Sequence, residues 1–236
     1  FSRSRGLGDV YKRQDDDEVL TIEEASRKLR SPMLSFSNTD MAFKDNLLVA
    51  GSYHGFNIYE LQDNGIPNLI TSVVCPGGQG DVSVVGNILI MSVEETRGRV
   101  DCGLDGVGPD ASPERFRGIR IFDISNIKKP KQVGAVQTCR GSHTHSVVAG
   151  PTADNKIIVY NSGTGRVREE DELDGCIGNI AGDTRTAYFS IDVIEIPIND
   201  PASSRIVSSP RVFADNDKGI IAGLWRGGDH GDGTQD

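Results

Sequence analysis

Nowhere in these 236 residues do Lys and Arg gather into a run with interleaved aromatics, and acidic residues outnumber basic ones 34 to 25, for a net charge of −9. A nucleic-acid surface is not expected from such a chain. No apolar run approaches the ~20 residues of a bilayer-spanning helix, so no transmembrane segment is expected. There are four Cys, and no two of them stand at C-x-x-C spacing, which argues against a zinc ribbon or a thioredoxin-like redox site. Gly-x-Ser-x-Gly, a P-loop and a dinucleotide-binding fingerprint are all missing, so no familiar catalytic motif marks a nucleophile or a phosphate cradle. The run Glu169-Glu170-Asp171-Glu172-Leu173-Asp174 lacks the spacing and glycine of an EF-hand and reads as a solvated acidic loop.

What the chain does have is 28 Gly and 10 Pro with 36% apolar residues, a balance that favours many short strands separated by turns. Two end segments stand apart. Residues 1–14, including Gly6-Leu7-Gly8-Asp9-Val10-Tyr11, look like translated sequencing-adapter read-through at the edge of an environmental reading frame. They are set aside as a scar. The chain stops inside the Gly-rich stretch Gly227 to Gly233, which reads as a C-terminal truncation. Between scar and strands, Thr21-Ile22-Glu23-Glu24 forms a capping box, so residues 1–31 are read as scar plus a leader with a short helix stopped by Pro32.

From Asp40 onward the strands line up as three units, roughly 40–75, 81–139 and 145–214, within a domain spanning 32–236. The clearest stretch is Gly118-Ile119-Arg120-Ile121-Phe122-Asp123-Ile124-Ser125, with Pro130 beyond it; Gly55 to Glu60 matches it in part, and Ser190 to Ile196 loosely. Alternation of Ile119 and Ile121 with Arg120 reads as a half-buried strand, and Ile88-Leu89-Ile90 as one buried on both faces. Residues 187–196 read as one strand. Four antiparallel strands per unit predict an all-β fold: a partial β-propeller of about three consecutive four-stranded blades, with inner strands near 41–43, 82–85 and 146–149.

These Gly-led strands with their trailing Pro resemble the LVIVD-repeat β-propeller family. The resemblance implies a ring with more blades than three, of which this chain is an open arc. It implies little about activity. Two insertions depart from the pattern, about Glu94 to Arg115 and about Gly163 to Thr186; each contains a Cys.

In an antiparallel blade the loop between the second and third strands and the connection to the next blade emerge on one face. That parity places Cys102 and Cys176, in the insertions, on the same face as Cys75 and Cys139, in the connections. The cysteines are open to three readings: disulfides, a metal site or core thiols. Disulfides are preferred because they would anchor the long loops, and they imply an extracytoplasmic or secreted location. Cys102–Cys139 is the expected pair, both belonging to the second unit; Cys176 then awaits a partner elsewhere and Cys75 has none.

The same face should hold Asp40, Asp81, His143 and His145 at the inner-strand starts, as a ligand-binding channel mouth. His143 and His145, two apart on a strand, are expected to face the channel together while Thr144 turns away. With Asp81 they form a candidate site for a divalent transition metal such as Zn²⁺, Mn²⁺ or Fe²⁺. The plainer alternative is that both imidazoles only hold neighbouring blades together by hydrogen bonds. Nearby carboxylates are expected to raise the imidazole pKa. His54 reads as a solvated turn residue.

The expected function is a non-enzymatic, secreted or surface-associated scaffold, monomeric when complete, that binds a protein, glycan or small ligand on the Cys-bearing face. The alternative is a metal-dependent oxidoreductase or hydrolase, by distant similarity to the selenium-binding protein and methanethiol oxidase propellers. A third reading, an intracellular scaffold, requires reduced cysteines.

Overall fold

A computed structural model describes residues 37–95, 97–178, 185–212, 214–215 and 220–221. The scar, the leader with its expected helix and the Gly-rich stretch around His230 lie outside these residues.

The described chain is all-β. Strands β1 (Asn38–Lys44), β2 (Leu47–Ser52), β3 (Gly55–Leu61) and β4 (Pro67–Val74) form the first sheet in that order. The second is β5 (Val82–Val85), β6 (Ile88–Val93), β7 (Gly118–Asp123) and β8 (Lys131–Gln137). The third is β9 (Thr144–Ala149), β10 (Lys156–Ser162), β11 (Asp192–Pro197) and β12 (Arg205–Ser208). Every neighbouring pair within them is antiparallel. Three consecutive four-stranded blades are therefore in place, with the inner strands where the sequence puts them. A short ribbon, β13 (Ala214–Asp215) with β14 (Ile220–Ile221), follows.

One strand is shorter than expected. Ala187–Phe189 turns as a 3-10 helix, begun by the Thr186 hydroxyl accepting from Tyr188 N at 3.3 Å, so β11 opens only at Asp192.

The blades stack through two apolar layers. Leu89, Met91 and Val93 of β6, with Phe122, pack toward Val49, Phe56 and Ile58 of the first blade. Ile88 and Ile90, with Ile119 and Ile121, pack toward Ile157, Val159, Ile194 and Ile196 of the third. Period-two alternation thus sends successive side chains of the middle blade into two different interfaces, and all six residues of β6 are buried. Phe56 and Phe122 meet edge to face across the first interface, ring centres 5.0 Å apart, which contributes about 1 kcal/mol beyond the area buried.

This double coverage corrects the half-buried reading of β7. Arg120 is fully buried, because residues that alternate with Ile119 and Ile121 face the first blade instead of water. Its guanidinium lies 4.2 Å from the centre of the Phe116 ring and donates to Gln132 Oε1 at 3.2 Å and to the Arg99 carbonyl. The insertion of the second blade thereby becomes the lid over a buried cation. Of the large apolar side chains left exposed, Met41, Phe43 and Leu69 on the first blade and Val148, Tyr160 and Val207 on the third belong to the two sheets that have only one neighbour among the described residues.

The leading glycine of β3 and β7 has a steric cause. Gly55 and Gly118 take φ of +134° and +143°, and a Cβ at either would collide with the carbonyl oxygen of Val73 or Val136 on the adjacent outer strand.

Candidate functional site

Strand direction brings both insertions and both interblade connections to one face. Each connection lies against the next blade's strand end or insertion: Gly77 O accepts from Glu94 N and Glu95 N, each at 2.8 Å, and Cys139 O accepts from Arg168 N at 3.0 Å. This arrangement fixes the cysteines. The disulfides are Cys75–Cys102 and Cys139–Cys176, with Cα separations of 4.5 and 5.3 Å. The expected Cys102–Cys139 pair is wrong, and Cys75 and Cys176 both have partners. Cys139 has already left the second blade and runs beside the third blade's insertion, so a shared blade number is the wrong criterion. Each bond joins a connection to the insertion of the following blade, and the two bonds occupy corresponding positions.

At the inner-strand starts, Asp40, Asp81 and His145 also correspond. The Asp40 carboxylate accepts from Val82 N of the next blade at 3.0 Å. Asp81 bonds the Thr144 side chain of the blade after. These carboxylates act as stitches between inner strands. Burial raises the Asp81 pKa, the Thr144 bond opposes it, and the negative charges of Asp40 and Glu94 add to the rise.

His145 is buried; its Nδ1 lies 2.8 Å from Ser92 Oγ, which in turn sits 2.7 Å from Ser142 Oγ. His143 turns elsewhere: its Nδ1 is 2.9 Å from Glu94 Oε2, and the other oxygen of Glu94 accepts from the Thr164 hydroxyl. The i, i+2 argument fails because β9 begins at Thr144, leaving His143 in the connection, and it is Thr144 that reaches Asp81. Among the described residues no three His, Cys, Asp or Glu come close enough to share a metal ion. Asp81, His143 and His145 therefore do not form a ligand set in this arrangement.

Burial also reverses the expected titration of His145. Its pKa falls to about 4, since desolvation of the imidazolium outweighs attraction from Asp40. His54 is half-buried, not solvated, and burial lowers its pKa too. A folded pKa below the unfolded 6.5 means that the unfolded chain binds the proton first. His145 should then remove about 3 kcal/mol of stability as the pH falls from 6.5 to about 4. The carboxyls of Asp81 and Asp192, raised above 3.8 by burial, work in the opposite direction over their own window. Urea unfolding between pH 7 and pH 4 should show this loss, and His145→Asn should flatten it. An unchanged slope would remove His145 as its source.

The residues that sequence reasoning passed over lie between the two insertions. Glu172, read as part of a solvated loop, has a side chain only 3% exposed. It is ion-paired to Arg115 and to Arg168, the latter at 2.5 Å, and accepts from Ser112 N at 3.1 Å. Arg168 Nη2 also donates to the Arg115 carbonyl at 3.3 Å. Arg117, 3% exposed, donates to the Arg166 carbonyl at 3.1 Å. These groups line a cavity of about 330 Å³. The one available signal was the spacing of Arg115 with Arg117 and of Arg166 with Arg168 at the inner ends of both insertions.

No family model and no characterised protein sequence matches the chain. Among solved structures, hydrazine synthase of Kuenenia stuttgartiensis is similar over 75% of this chain and 37% of its own, at 9% identity and a TM-score of 0.43. The computationally designed Ika4 protein is similar over 73% and 92%, at 12% identity and a TM-score of 0.30. Sqt1 of Saccharomyces cerevisiae is similar over 77% and 63%, at 11% identity and a TM-score of 0.27. This chain spans little more than a third of the hydrazine synthase chain. The chain is an all-β protein of stacked four-stranded antiparallel blades carrying two disulfides. No helix among the described residues is long and apolar enough to cross a membrane.

Proposed function

We propose that this chain is part of an extracytoplasmic LVIVD-repeat β-propeller that acts as a binding scaffold, taking its ligand on the face of the two insertions. The observation that carries the reading is the placement of the disulfides, each tying one insertion to the preceding connection on that same face. Two cystines suit an oxidising compartment. Long loops pinned to a rigid scaffold form a preorganised surface for recognition. The exposed apolar side chains of the first and third blades are surfaces that further blades of a ring would cover.

The test is a screen of the immobilised protein against glycan and protein arrays. Binding should be lost when residues 103–108, beyond Cys102, are shortened to two glycines. It should survive Asp63→Ala with Asn64→Ala in the β3–β4 turn on the opposite face. Loss with the turn variant and retention with the shortened insertion would overturn the assignment of the face. Binding or turnover that requires added Zn²⁺ or Mn²⁺ and disappears in the His143→Ala, His145→Ala double variant would replace the scaffold with the metal-dependent enzyme.

A further inference from the structure

We propose that the cavity between the two insertions is an anion site for a small organic molecule of about sugar size bearing a carboxylate, sulfate or phosphate, with Arg117 as the group that receives it. The cavity is lined by four arginines, Arg115, Arg117, Arg166 and Arg168, and two glutamates, Glu169 and Glu172. Two positive charges are left over, in a protein whose net charge is −9.

The charges are not equivalent. Arg115 and Arg168 are held by Glu172. Arg166 is exposed at the rim. Arg117 is buried, no carboxylate among the described residues pairs with it, and its Nε has no hydrogen-bond partner there. An unpaired buried cation is costly, and a buried N–H donor without an acceptor adds to that cost. An oxyanion bonded to the guanidinium fork would offset both, because the paired N–H groups match two oxygens of a carboxylate, sulfate or phosphate. Burial and the neighbouring Arg168 and Arg115 charges lower the Arg117 pKa to about 10, still well above neutrality, so the receiving charge is present at physiological pH.

Local structure holds this group in place. Glycine at 165 leaves the space that the Arg117 guanidinium fills, where a Cβ would collide with Nη2. The Arg166 carbonyl accepts from the same nitrogen at 3.1 Å. Facing the charges, Pro109, Ala111 and Val167 supply apolar wall against which the uncharged body of a ligand can lie. The volume falls at the lower end of the range for small-molecule pockets, roughly 300 to 1,000 Å³.

The site deepens the reading of this face as the binding face and rests on it for biological context, although its chemistry stands alone. Isothermal titration calorimetry on the full 236-residue chain would use glucuronate, inorganic sulfate and inorganic phosphate as probes, with glucose as the neutral control. Expected is saturable binding of at least one anion, weakened by added NaCl, and none of glucose; the preferred probe separates a carboxylate ligand from a tetrahedral one. Arg117→Gln should weaken binding about ten- to hundredfold. Arg166→Gln, which leaves the buried groups untouched, should weaken it about two- to fivefold. No heat with any anion, equal binding of glucose, or unchanged affinity in both variants would overturn the site. If Arg117→Gln does not fold, unchanged affinity in Arg166→Gln overturns it. Anion binding without any hit on the arrays would leave the cavity and remove the macromolecular reading, whereas array hits that both arginine variants retain would do the reverse.

Discussion

Replacing Cys139 and Cys176 together by Ser is expected to lower the free energy of unfolding by about 4 kcal/mol, and the same treatment of Cys75 and Cys102 by about 3.5 kcal/mol. The loops closed span 37 and 27 residues, and the cost arises mainly from the conformational freedom restored to the unfolded chain. Small domains are stable by roughly 5 to 15 kcal/mol, so losing both bonds should leave little. Urea unfolding of the oxidised protein and the two variants measures the effect. A change below about 1 kcal/mol would mean that the bonds close loops already held by packing. A peptide map of the unreduced protein checks the pairing, and a fragment joining Cys102 to Cys139 would refute it.

Glu172→Ala is expected to cost about 3 to 5 kcal/mol, because it takes from two buried guanidinium groups the one carboxylate that they share. Side-chain exposures of 7% for Arg115, 1% for Arg168 and 3% for Glu172 leave all three largely desolvated. Asp174→Ala, exposed on the same loop, should change stability by less than about 0.5 kcal/mol and serves as the control. Equal effects from the two substitutions would return Glu172 to the solvated loop that its neighbours in sequence suggest. Hydrogen exchange should localise the damage to both insertions, since Ser112 N and Arg115 Nη1 share the Glu172 carboxylate as acceptor.

Sheet architecture was legible because it depends on local signals. Alternating apolar residues, turn glycines and asparagines, and the Gly-led strands at Gly55 and Gly118 all act within a few residues of one another. The site was less legible because it depends on which blade a loop meets. Cys75 and Cys139 stand six residues before Asp81 and His145, a correspondence visible in the sequence, yet their partners follow only from the crossing of each connection onto the next blade. Arg120 looked solvent-facing because it alternates with Ile119 and Ile121, but a strand between two blades has no wet face. Glu172 looked solvated because its counterions come partly from an insertion 57 residues away. His145 and His143 were grouped by spacing, but the strand boundary falls between them.

The two corresponding cystines also determine how the protein would behave under load. Each cross-link spans the junction between consecutive blades, so tension applied along the chain passes from blade to blade through covalent bonds instead of through interblade packing alone. The residues enclosed by each bond, 27 and 37 positions apart at their ends, are shielded from being drawn out. Outside those loops strands can peel away, whereas each connection stays joined to the insertion that follows it. A protein so built can be stretched or nicked at its turns while the surface most distinctive of it remains assembled.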